Sequence, residues 1–100
     1  MGAWRVILSE PAEADLERVV AFLARTNLVA AERIGLEIVQ RIFTLDTLPA
    51  RGAPLKGRPG LRKTVLRHYL IIDRLHDATR VVEIVRVWDG RINPAEFSLP

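Results

Sequence analysis

The chain has 100 residues, enough for one domain, and 49% of them are apolar, ample for a core. It has no cysteine, which excludes a disulfide framework and Cys-ligated zinc and fits a reducing compartment. The net charge of +3 is unevenly placed: residues 1–50 carry −2 and residues 51–100 carry +5, so the basic half invites an acidic protein or a nucleic acid.

Trp4 to Leu8 reads as a short strand. Ser9-Glu10-Pro11 then announces a helix: Ser9 can cap it, Pro11 suits the first turn, and Glu10, Glu13 and Asp15 favour the positive end of its dipole. Ala12, Leu16, Val19, Val20 and Leu23 recur at helical spacing on one face. Asn27 can cap a second helix expected from Leu28 to Leu48, with Ala31, Ile34, Ile38, Ile42 and Leu45 as its apolar stripe. Gly35 is a weak spot in this helix, read first as permitting close approach of the first helix and second as simple tolerance, and the short joint at Thr26-Asn27 predicts an antiparallel helical hairpin.

Ala50 to Gly60, rich in Gly, Pro and cations, reads as a loop. Three strands follow, at Leu61–Leu66, Tyr69–Leu75 and Arg80–Val87, with turns at Arg67-His68 and at His76 to Thr79. The last strand is apolar on both faces, as an interior strand should be. The order β-α-α-β-β-β predicts an α+β domain: a helical hairpin packed on a mainly antiparallel four-stranded sheet.

The chemistry on offer is narrow. Ser9 is needed as a cap, there is no thiol, and His68 and His76 both fall in predicted turns. No cluster of His, Asp and Glu has metal-ligand spacing, and no Gly-rich loop opens a helix, so neither a metal nor another cofactor is expected. The informative residue type is instead arginine, spaced through this segment at Arg62, Arg67, Arg74, Arg80, Arg86 and Arg91. Arg62, Arg74 and Arg86, on three successive strands, are expected to form one cationic sheet face suited to phosphates or carboxylates. By period-two alternation Glu83 should point away from Arg86, leaving no evident acid–base pair. Solubility is the plainer role for Arg62 and Arg74, and a partly buried ion pair the plainer role for Arg86.

Several segments, in order and at matching spacing, resemble the ParE/RelE-type toxins of bacterial type II toxin–antitoxin pairs. Ser9 to Leu16 is similar to their S-x-x-A-x-x-D-L opening, and Leu45 to Gly52 to L-x-x-x-P-x-x-G. Gly60-Leu61-Arg62 matches G-x-R, and Tyr69 to Arg74 resembles Y-x-I-x-Y-R with Asp73 in place of the aromatic. Val82 to Arg91 resembles the last strand, with Trp88 where a His is usual.

The resemblance, closer to ParE, implies the same fold and a cytoplasmic protein in a hetero-oligomer with an acidic antitoxin whose C-terminal segment wraps it. Leu16, Val20, Leu23, Ile34 and Ile38 on the helical hairpin are expected to receive that antitoxin. ParE-like members poison DNA gyrase, and here Arg62, Arg74, Arg86, Trp88 and Arg91 are the expected target contacts, with no catalysis, no membrane and no sequence-specific DNA binding. RelE-like members cut mRNA in the ribosome; under that alternative Arg62 and Arg86 would hold the phosphate. A degenerate member that binds antitoxin without toxicity is a third possibility, raised by Asp73 and Trp88. Trp88 itself is read first as packing the end of its strand and second as an aromatic anchor.

Overall fold

The computed structural model describes residues 3–91. Strand β1 (Arg5–Leu8) leads into helix α1 (Glu10–Ala24), helix α2 (Leu28–Phe43) and one 3-10 turn (Thr44–Asp46). Strands β2 (Ala53–Pro54), β3 (Leu61–Leu66), β4 (Tyr69–His76) and β5 (Val81–Asp89) follow. The expected tail beyond Arg91 lies outside the described residues.

Both helices start where side-chain chemistry dictates. Ser9 Oγ accepts from Ala12 N at 3.2 Å and Asn27 Oδ1 accepts from Ala30 N at 3.0 Å, each satisfying a backbone donor that the first turn leaves open. The second helix stops at Phe43, earlier than expected, and the chain tightens into the 3-10 turn that still buries Leu45. A Cβ on Gly35 would lie 2.9 Å from Val20 Cγ2, so glycine is what lets α2 approach α1, the first of its two expected roles.

The α+β architecture holds, but the sheet has five strands in the order β1-β5-β4-β3-β2, and it is mixed. The strand missed by the sequence reading is Ala53–Pro54, which pairs antiparallel with β3. Pro54 cannot donate to a ladder, so it tolerates a strand only at the sheet edge, where it is found. At the opposite edge β1 runs parallel to β5 through Arg5↔Val81 to Leu8↔Ile84. His76 closes β4 rather than sitting in a turn.

The helices cover one face of the sheet. Ile38, Ile42 and Leu45 meet Ile71, Val82, Ile84 and Val87 there, each fully or almost fully buried. Burying such a side chain stabilises the fold by about 1.5–3 kcal/mol before entropy is counted. A smaller cluster of Leu61, Ile72 and Val85 lies on the other face, flanked by Leu55 and Leu70. Strand β5 therefore contributes to both clusters, as its two apolar faces predicted.

The β3–β4 turn is as short as expected, with Arg67 at φ 58°. That left-handed conformation disfavours a side chain with a Cβ. It is held by Glu37 of α2, whose carboxylate accepts from Arg67 Nε at 2.7 Å and Nη2 at 2.9 Å.

Candidate functional site

Strand register decides where each arginine goes. Arg62 lies opposite Asp73, sharing a sheet face with Thr64↔Ile71 and Leu66↔Tyr69, which is the face under the helices. Its Nη1 donates to the Gly52 carbonyl at 3.0 Å. Arg74 lies opposite Leu61 on one side and Glu83 on the other, on the face away from the helices. The expected single face of Arg62, Arg74 and Arg86 is therefore not formed.

Arg86 is displaced by a bulge. The β4–β5 pairing runs Arg74↔Glu83 and Asp73↔Ile84, then resumes at Ile72↔Arg86, leaving Val85 as an extra residue. One extra residue inverts the alternation beyond it. Glu83 and Arg86 thus share a side of the sheet by register, contrary to the period-two expectation. Glu83 is engaged elsewhere, with its Oε1 2.9 Å from His76 Nε2.

The guanidinium of Arg86 meets Asp15 of α1. Nε donates to Asp15 Oδ2 at 2.6 Å and Nη2 to Oδ1 at 2.8 Å, a bidentate fork. The same carboxylate accepts from Val87 N at 3.0 Å and from Arg18 Nη2 at 2.6 Å. These bonds have a topological cause. Strand β1 pairs with β5 only as far as Ile84, so the edge of β5 beyond it lacks a neighbouring strand. Helix α1 runs along that gap: Ser9 N donates to Ile84 O at 3.0 Å, Ser9 Oγ to Val85 O at 3.0 Å, and Asp15 takes the Val87 N–H. Side chains of α1 stand in for the missing strand. The hydrogen bond to Asp15 raises the Arg86 pKa above its ordinary value, holding the guanidinium in its charged form.

Sequence reasoning placed Arg86 well as a partly buried ion pair and assigned Asp15 only to the helix dipole. The signal for Asp15 was available: it sits three residues after Ala12 and four before Val19, on the buried face.

The Arg86 guanidinium also lies 5.3 Å from the Trp88 ring centroid, a cation–π distance. Arg91 clasps Asp89 through Nε at 3.1 Å and Nη2 at 2.8 Å, which lowers the Asp89 pKa. A cleft of about 720 Å³ opens between α1 and the end of β5, bordered by Arg18, Phe22, Arg25, Tyr69, Trp88 and Arg91. Burial raises the pKa of the Tyr69 hydroxyl that lines it. Trp88 and Arg91 are thus brought to one cleft beside Arg86, while Arg62 and Arg74 stand apart on opposite faces of the sheet. Among the described residues, no group of three or more His, Asp or Glu gathers as metal ligands would.

On the helical hairpin, Ile34 and Ile38 are buried in the core, and Leu16 and Leu23 pack half-buried against it. Val20 faces Gly35. Ile34 and Ile38 therefore hold the helices to the sheet and offer no surface to a partner, contrary to expectation. The apolar surface that α2 does offer is Val29, Leu36 and Phe43, which are 72%, 57% and 48% exposed. They recur every seven residues and so follow one side of the helix. Phe22 and Leu28 add exposed apolar area near the helix joint.

A mixed sheet under a two-helix hairpin, carrying arginines along its strands, is the architecture of the small RelE/ParE-like toxins. Residues 6–94 match the family described as the ParE toxin of the type II toxin–antitoxin system parDE. Toxin ParE3 of Caulobacter vibrioides is 32% identical over 93 residues, covering 91% of each chain. Among solved structures, the chromosomal ParDE system from P. aeruginosa superposes with a TM-score of 0.73 at 19% identity, over 84% of this chain and 92% of that one. The toxin–antitoxin complex RelBE2 of Mycobacterium tuberculosis gives 0.69 at 26% identity, over 89% and 93%. The isolated E. coli RelE toxin gives 0.59 at 18% identity, over 94% and 92%. The chain belongs to the ParE toxin family of type II toxin–antitoxin systems.

Proposed function

We propose that this toxin acts in the bacterial cytoplasm by inhibiting DNA gyrase and is neutralised by an acidic antitoxin laid along its helical hairpin. The observation that carries the reading is the bidentate Arg86–Asp15 pair, at 2.6 and 2.8 Å. The arginine that a nuclease of this fold would aim at a scissile phosphate is here engaged by an internal carboxylate, and Arg62 is turned to the Gly52 carbonyl. Both commitments favour binding over phosphodiester cleavage. Among the described residues no helix is long and apolar enough to cross a membrane.

The antitoxin surface is proposed as Val29, Leu36 and Phe43, with Phe22 and Leu28, in place of the buried Ile34 and Ile38. An amphipathic partner helix would anchor on the seven-residue spacing. Arg25, Arg33 and Arg41 on the same hairpin suit an acidic partner. The test is growth arrest on expression of the chain alone and relief by its antitoxin. Leu36→Glu and Phe43→Glu should keep the arrest and lose the relief; relief that survives both would move the antitoxin to another surface.

A second reading, a ribosome-dependent mRNA endonuclease, draws on the likeness to the RelBE2 complex. It requires Arg62 and Arg86 to reach a phosphate, and alanine at either to abolish cleavage in a protein that stays folded.

A further inference from the structure

Asp73 stands in the middle of β4 on the helix-covered face, and it is fully buried. Among the described residues neither carboxyl oxygen has a hydrogen-bond partner, and the neighbouring Thr64 Oγ1 has none either. Arg62 lies directly opposite Asp73 on β3. Its guanidinium nonetheless donates to the carbonyl of Gly52, in the connector between the 3-10 turn and β2. Gly52 is itself buried tightly on β3: a Cβ there would lie 3.0 Å from Lys63 O and 3.1 Å from Thr64 Oγ1.

The surroundings of Asp73 are otherwise apolar. Its partner on β5 is Ile84, its same-face neighbours on β4 are Ile71 and Leu75, and the helical layer contributes Ile38, Ile42 and Leu45 to that cluster. Among the described residues Arg62 is the charged group that acts on the carboxyl. Titratable side chains nearby on β4 and β5, Arg74, His76 and Glu83, belong to the other sheet face or to the strand end.

We propose that Asp73 and Arg62 form a proton-operated latch on the connector that carries Gly52. With the carboxyl neutral, it needs no cationic partner, and Arg62 pins the connector through the Gly52 carbonyl. With the carboxyl ionised, a buried negative charge demands a donor. Arg62, directly opposite on β3, answers it, and the connector loses its clamp. Burial, opposed in part by Arg62, raises the Asp73 pKa to about 7, so the two states exchange within the physiological range. The proton leaves to solvent and no other group changes charge. The latch is independent of which target the toxin takes.

The experiment is an NMR titration of the full wild-type chain, labelled with 13C and 15N, from pH 5 to pH 9. Three signals are followed: the Asp73 carboxyl carbon, the Arg62 Nε–Hε pair, and the Ala53 amide, which shares a peptide group with the Gly52 carbonyl. The expected result is one common midpoint for all three, and Arg62 and Ala53 signals that no longer move with pH in Asp73→Asn. Arg62 and Ala53 signals that stay flat while Asp73 titrates would overturn the latch. So would an Asp73 carboxyl ionised throughout the range. Should Asp73→Asn not fold, the wild-type titration decides alone.

Discussion

Two aspartates are buried under the helices of this small domain, and they are treated in opposite ways. Asp15 accepts four hydrogen bonds, from both donors of the Arg86 fork, from Arg18 and from the Val87 backbone. Asp73 accepts none among the described residues. Asp15 is buried because the β5 edge needs an acceptor where β1 has ended, so its charge is matched. Asp73 is buried because β4 alternation places residues 69, 71, 73 and 75 under the helices. A position that the ParE/RelE resemblance would fill with an aromatic ring holds a carboxyl instead. The first acid stabilises as an ion; the second folds best with its proton on.

Removing the paired acid should have the largest effect. Asp15→Ala strands the Arg86 guanidinium and the Val87 N–H at a closed edge and should cost about 3–5 kcal/mol in denaturant unfolding, the range for breaking a buried pair. A loss below ~1 kcal/mol would mean that the edge is solvated.

Asp73→Asn should move the other way. The folded-state pKa of about 7 lies above the ordinary aspartate value of 3.8. Between those values the native state holds a proton that the unfolded state has released, so wild-type stability falls as pH rises, with the full loss in place above about pH 7. The loss is on the order of 4 kcal/mol if the whole shift is expressed. Asn at 73 should therefore stabilise the protein at pH 8 by a few kcal/mol and flatten the pH dependence from pH 4 to 7, both readable by thermal unfolding. A wild-type stability higher at pH 8 than at pH 4 with no gain in Asp73→Asn would refute the assignment.

A smaller effect is expected between the helices. Gly35→Ala gains about 1 kcal/mol of helix propensity but drives a methyl to 2.9 Å from Val20 Cγ2. A net cost of about 1–2 kcal/mol is expected, relieved in the double variant with Val20→Ala. The smallest change should come from His76→Gln, since its contact with Glu83 is exposed; unfolding midpoints should barely move.

The elements that local chemistry dictates could be read from the chain itself. Ser9 and Asn27 each have a capping oxygen immediately before an apolar period of 3.6, and β3 to β5 carry β-branched runs between turn residues. What escaped was set by register and by contacts distant in sequence. The bulge at Val85 leaves no mark in hydrophobic alternation, because Val82, Ile84, Val85 and Val87 make both faces of the strand apolar, so the side taken by Arg86 is set by register alone. Ala53–Pro54 is too short to show periodicity and exists only because β3 offers an edge. The Asp15–Arg86 pair joins residues 71 apart, and only the parallel pairing of β1 with β5 brings them together. For the same reason the surface of the hairpin was misplaced: the Ile34 and Ile38 stripe was visible, but its opposite side, Val29, Leu36 and Phe43, is the one left exposed.

The most direct measurement of the functional account is supercoiling of relaxed plasmid by purified DNA gyrase with the folded chain titrated in. The account predicts loss of supercoiling, or accumulation of cleaved DNA, that is reversed by the antitoxin. Undiminished supercoiling from a folded sample that cuts mRNA on translating ribosomes would contradict it and return Arg62 and Arg86 to the chemistry.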